Sequence, residues 1–156
     1  MTCICKQYTL YKSDKTSFES QDCSYTCGPI AIMNALRFEG KTPGPAVHRQ
    51  VMVACDPKAR HEDDGFKGTK PPNMDCAIRR FWPAATVAHG AKACLRALKA
   101  PASILLFQRS PRLQHYVFVH YDGLYHLENE AENETVSVKD MDAYMAKEPI
   151  VWALKT

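Results

Sequence analysis

No stretch of this chain comes near the ~18 consecutive apolar residues that a membrane-spanning helix requires. Residues 1–11 also lack the apolar core of roughly 7–15 residues that marks a secretory signal. Charge of one sign is scarce. The formal net charge is +3, and Lys6, Lys12, Lys15, Arg37, Arg49, Arg79 and Arg80 are scattered without forming a run. That balance argues against nucleic acid and against a membrane as partner. The close Cys-x-x-Cys knuckle of a structural zinc site is missing as well. Cys3/Cys5 and Cys23/Cys27 have other spacings, and His61, Asp63 and Asp64 fall in a polar loop, so neither a metal nor an organic cofactor is expected. An odd count of seven cysteines, with no secretory signal, points to thiols in a reducing cytoplasm. In that setting the sequon Asn133-Glu134-Thr135 carries no weight.

What is present suffices for one domain spanning residues 1–156, with no internal repeat or linker. A chain of this length can bury about 68–70% of its unfolded surface, and 46% apolar with 24% charged residues is ordinary for a globular protein. Residues 4–11 alternate as a strand or extended arm, and residues 12–22 form a polar, serine-rich approach. Helices are expected over 30–40, 45–55 and 73–81, with 56–72 irregular between Pro57 and Pro72. Short strands follow at 85–88, 102–107, 115–121 and 124–127, with a helix at 90–100. Asp122-Gly123 reads as a two-residue hairpin turn. Residues 128–134 read as an acidic bend and 136–138 as an edge strand. Asp140 can cap a short helix to Ala146, and 150–154 closes the sheet. Helices dominate the first half and antiparallel strands the second, an α+β layout with a helical lobe and a sheet lobe.

The densest chemistry lies between Gln21 and Leu36. From Ile30 the segment is almost wholly apolar, and Pro29 suits a first helical turn. Cys27 therefore stands at a helix N-terminus, where unpaired N–H groups and the macrodipole favour a thiolate. Gly28 would let a substrate carbonyl approach the sulfur. Gln21, six positions upstream, is a neutral donor able to help bind an oxyanion. A nucleophilic thiol also needs a base that exchanges a proton near neutral pH. Of six histidines, His115 opens a strand ahead of the apolar run 116–119.

A glutamine, five residues, then Cys-Gly-Pro opening an apolar helix resembles the nucleophile segment of papain-like cysteine peptidases. The run Cys-Gly-Pro-Ile-Ala-Ile-Met-Asn-Ala-Leu, with glycine four residues later, is most similar to the bacteriocin-processing (double-glycine leader) peptidases and their stand-alone relatives. The resemblance implies a papain-like fold, a protein or peptide substrate, and no cofactor. It implies Cys27 as nucleophile, Gln21 and the Cys27 amide as oxyanion hole, and His115, followed by an aromatic and β-formers, as base and acid.

The third member of such a triad steadies the imidazole and is usually Asp in that branch, or Asn in papain-like enzymes more widely. The resemblance puts Asn129 in that place, with Glu128 as competitor. Strict pairing across a two-residue Asp122-Gly123 turn would instead set His115 opposite Glu130 and turn Asn129 away, whereas a bulge or a three-residue turn reverses that parity. The expected activity is hydrolysis of a peptide or isopeptide bond through a thioester. The alternatives are another acyl transfer on the same residues (a deamidase, a transglutaminase-like enzyme, or a transpeptidase resembling phytochelatin synthase) and a silent peptide-binding domain. Oligomeric state is not legible.

Overall fold

The computed structural model describes residues 8–21, 25–58, 68–110, 113–145 and 148–155. The chain opens with a hairpin of β1 (Tyr8–Ser13) and β2 (Thr16–Gln21). Three helices follow: α1 (Cys27–Phe38), α2 (Pro45–Cys55) and α3 (Pro71–Phe81). Then come β3 (Thr86–His89), α4 (Ala91–Ala97), β4 (Ala102–Ser110), β5 (Leu113–Tyr121), β6 (Tyr125–Ala131) and β7 (Glu134–Val138). A 3₁₀ turn at Met141–Tyr144 precedes β8 (Ile150–Ala153). Six strands form one antiparallel sheet in the order β3-β8-β4-β5-β6-β7, and β1-β2 is a separate two-stranded ribbon.

Local chemistry accounts for the helix limits. Proline opens α2 and α3, where a missing N–H costs nothing. Gly40 takes a left-handed φ of 90° just past α1, and the Asp140 side chain accepts the Asp142 N–H at the start of the 3₁₀ turn.

Side-chain alternation along β4 and β5 sorts the interior into two layers. Ile104, Leu106, Tyr116, Phe118 and Trp152 face α1, α2 and α3, packing against Ala31, Met33, Val51, Met74 and Ile78. Leu105, Phe107, Val117, Val119 and Val151 face the other way, under Cys94 and Leu98 of the α4 segment and Met141. The indole N–H of Trp152 donates to Asp75 at 3.0 Å, so this buried aromatic has its polar atom satisfied.

The sequence reading differs from this fold in several places, among them the first strand, which runs to Ser13 instead of Tyr11, and the helix expected up to Ala146, which is the 3₁₀ turn Met141–Tyr144. Residues 16–21, read as an approach loop, form β2, whose Phe18, Glu19 and Ser20 are buried. β6 continues through Glu128, Asn129 and Glu130, read as a bend. The Asp122-Gly123 hairpin has a three-residue connection, with Tyr121 paired to Tyr125, because the Asp122 carboxylate caps the Leu124 N–H at 3.2 Å and Gly123 adopts φ 110°. β8, read as the strand that closes the sheet, lies inside it between β3 and β4. The expected helix limits at α1, α3 and α4 move by one to three residues. Cys3, Cys5, Cys23, His61, Asp63 and Asp64 lie outside the described residues. No helix among the described residues is long and apolar enough to cross a membrane.

Candidate active site

Cys27 is the first residue of α1. Thr26 before it sits at φ −98° and its carbonyl accepts the Ile30 N–H at 3.0 Å, closing the first helical turn. The Thr26 side chain makes no capping hydrogen bond at this end, and the first turn carries no acidic residue. The positive end of the helix dipole is therefore not offset by a neighbouring carboxylate within that turn. Cys27 is nine-tenths buried, in the same packed layer as Cys55 at the end of α2 and Tyr116 of β5. Tyr116 donates its hydroxyl to the Thr69 carbonyl at 3.0 Å. Burial, and then the nearby Cys27 and Cys55 thiols, push its phenol far above the usual range. Burial likewise pushes the Cys55 thiol up to about 12.

Gly28 has a more immediate reason to be glycine than the one read from sequence. A Cβ there would lie 2.5 Å from Thr69 Oγ1 and 2.9 Å from Thr69 Cβ. The absent side chain is what lets the segment entering α3 close over the first turn of α1.

Gln21, the last residue of β2, meets Asn129 of β6 in a reciprocal pair. The Gln21 main-chain N–H donates to Asn129 Oδ1 at 2.9 Å, and Asn129 Nδ2 donates to Gln21 Oε1 at 2.6 Å. The Gln21 carboxamide oxygen is thereby held, which fixes the direction of its Nε2 donors. Asn129 adopts a left-handed φ of 68°, a conformation that asparagine tolerates better than most residues. This turn coincides with a register shift between β6 and β7 over Leu127–Ala131.

That local twist lets the Asn129 main-chain carbonyl reach His115, whose Nε2 lies 2.9 Å away. A carbonyl can only accept, so Nε2 carries a proton and, in the neutral ring, Nδ1 is the basic nitrogen. Glu130 Oε1 stands 3.8 Å from the same Nε2, and Phe107 meets the ring edge-on at 5.7 Å. A cavity of about 340 Å³ adjoins Phe107, with His89, Gln108, Gln114, Glu148 and Ile150 among its walls.

Glu128, the competitor for a place beside His115, faces the α1 side opposite Phe118. Its buried carboxylate takes Tyr11 at 2.6 Å, His120 Nε2 at 2.7 Å and Thr135 Oγ1 at 2.7 and 3.0 Å. Of the other histidines, His126 binds Ser137 and Asp122, and His48 binds Glu19 and the Gly44 carbonyl. Thus Gln21, Asn129 and His115 are joined directly by hydrogen bonds. Cys27 comes from α1 and lies in the packed layer that holds Tyr116, the residue next to His115. The reading from sequence gave no role to Tyr11, whose hydroxyl also accepts the Asn129 N–H at 3.1 Å. Its partners lie 117 and 118 residues away, beyond any local pattern.

No family model matches the chain, and no curated protein does. Among solved structures, it is similar to the peptidase domain of Streptococcus ComA, a bi-functional ABC transporter involved in a quorum-sensing pathway. The similarity covers 95% of this chain and 99% of that one, at 15% identity and a TM-score of 0.55. At that identity the likeness is one of fold: the chain has the papain-like peptidase architecture, with α1, α2 and α3 packed on one face of an antiparallel sheet.

Proposed function

We propose that this chain is a cysteine peptidase that hydrolyses a peptide or isopeptide bond, with Cys27 as nucleophile, His115 as base and acid, Asn129 as the third member and Gln21 in the oxyanion hole. The observation that carries the reading is the hydrogen-bonded group Gln21–Asn129–His115, drawn from β2, β6 and β5, with α1, which carries Cys27, packed against all three strands. A peptidase fold supports a protein or peptide substrate.

In the reaction His115 Nδ1 takes the Cys27 proton, and the thiolate attacks the carbonyl carbon. The oxyanion forms against the Cys27 N–H and Gln21 Nε2. As the C–N bond breaks, His115 returns its proton to the leaving amine. Water then attacks the thioester, giving its proton to Nδ1, and the acid leaves as the thiol is restored. Asn129 holds the Nε2–H side of the ring through this cycle and stabilises its cation. A thiol nucleophile suits a reducing compartment, and we place the protein in the cytoplasm on that ground.

The test is to incubate the protein and Cys27→Ala with a mixed peptide library and read products and acyl adducts by mass spectrometry. The expected result is cleavage by the native protein alone, with the adduct on Cys27. Cleavage that survives Cys27→Ala would sink the proposal. Added amines report whether acyl transfer competes with hydrolysis.

A further inference from the structure

The main chain of Asn129 serves the site only because of its left-handed turn, and one side chain outside the proposed machinery fixes that turn. Tyr11 is 8% exposed, on β1 of the separate ribbon. Its hydroxyl has a single proton, which goes to Glu128 Oε1 at 2.6 Å. The oxygen is then turned so that a lone pair accepts the Asn129 N–H at 3.1 Å. Glu128 is itself fully buried and hydrogen-bonded to His120 and Thr135, so the phenol is anchored to a carboxylate held from three sides. Burial first, and then the Glu128 charge, raise the phenol far above its usual range, so it stays a donor at any working pH. The same peptide unit that Tyr11 holds by its N–H belongs to the residue whose carbonyl faces His115 and whose carboxamide holds Gln21.

We propose that Tyr11 is a positioning residue of the acyl-transfer reaction, acting through the Asn129 main chain on both His115 and Gln21. The inference rests on the peptidase reading above. Without the phenol oxygen the Asn129 N–H loses a buried acceptor, the left-handed turn loses a restraint, and the imidazole and the oxyanion donor drift together. A misplacement on the order of 1 Å can cost about 10²-fold in rate. Binding of substrate away from the reacting bond is untouched, so KM stays as it was.

The experiment compares the native protein, Tyr11→Phe and Phe18→Leu. Phe18 packs on the Tyr11 ring at 6.1 Å in the same core, so its truncation loosens that core without removing a hydrogen bond. Two readings are taken: the pH profile of Cys27 alkylation by iodoacetamide, and kcat and KM on the peptide found above. The expected native profile has its midpoint well below the ordinary thiol value of about 8.5. Tyr11→Phe moves it upward and lowers kcat about 10- to 100-fold at unchanged KM, while Phe18→Leu moves neither. A native profile with a low midpoint that Tyr11→Phe leaves in place overturns this inference and spares the peptidase. A native midpoint near 8.5 overturns both. Should Tyr11→Phe not fold, Glu128→Gln keeps an acceptor for the phenol while weakening its anchor. It is expected to shift the profile the same way by less, and no shift there overturns the inference.

Discussion

Asn129 and Gln21 hold each other at both ends. One carboxamide oxygen takes the partner's main-chain N–H at 2.9 Å, and the same carboxamide's nitrogen donates to the partner's oxygen at 2.6 Å. The side chain of Asn129 is thus committed to Gln21, the proposed oxyanion donor, and its main-chain carbonyl faces His115. In this arrangement the steadying of the imidazole and the aiming of the glutamine are two outputs of one residue.

Substitutions at Asn129 separate those outputs. Glycine accepts the φ of 68° and keeps the carbonyl, yet removes the carboxamide. Asn129→Gly is expected to resemble Gln21→Ala, each losing about 10²–10³ in kcat, the usual loss for one oxyanion donor. The double variant should lose little more than either alone. Additive losses in kcat across this cycle would show that the two carboxamides act separately.

Thiol reactivity should divide the described cysteines sharply. Cys27 lies at a helix N-terminus, whereas burial holds the fully buried Cys55 at about 12. Limited iodoacetamide at pH 7 followed by peptide mapping is expected to label Cys27 and leave Cys55 intact. Faster labelling of Cys55 than of Cys27 contradicts the assignment of the nucleophile.

His48 gives the fold a pH dependence of its own. Its Nδ1 is 2.9 Å from the Gly44 carbonyl and its Nε2 is 2.9 and 3.0 Å from the Glu19 oxygens, while Tyr8 stacks on the ring. Burial opposes the charge and Arg37 adds repulsion, but Glu19 prevails and raises the pKa above 6.5. The native state therefore holds this proton more tightly than the unfolded chain. The resulting stability is whole below about pH 6.5 and is lost as pH climbs through the raised native value. Urea midpoints of the native protein and His48→Gln should lie further apart at pH 6 than at pH 9. An equal gap at both would mean His48 is neutral in the fold.

Gly28→Ala should destabilise the protein by about 1–3 kcal/mol, the common cost of an added carbon in a packed site. Thr69→Ala removes the nearer of the two obstructing atoms. In a thermal-melt double-mutant cycle the pair should therefore lose less than the sum of the single losses. Simple additivity would place the strain elsewhere.

The helices were legible because their signals are local. Pro45 and the stripe Val47, Val51, Met52 and Ala54 define α2 to the residue, and the run after Cys27 defines α1. β2 was not legible, since buried Glu19 reads as a surface residue until Arg37, His48 and Asn34 are known to surround it. β6 failed for the same reason: Glu128 is compatible with the interior only through Tyr11, His120 and Thr135. The positions Gln21 and Asn129 could be named from sequence, but not their bond, because 108 residues separate them. Nor does any local pattern say that Asn129 presents its carbonyl, rather than its carboxamide, to the histidine.

The interior place of β8 has a consequence for how the molecule comes into being. Among the described strands β8 is the last of eight to leave the ribosome, yet β3 pairs there with it alone and β4 needs it for one of its two edges. At about 5–20 residues per second, β3 and one side of β4 wait several seconds with their N–H and C=O groups open before β8 can be inserted. During that interval the nascent chain offers two unpaired strand edges to any neighbour. Chaperone demand and yield should therefore depend more on residues 150–153 than their number suggests.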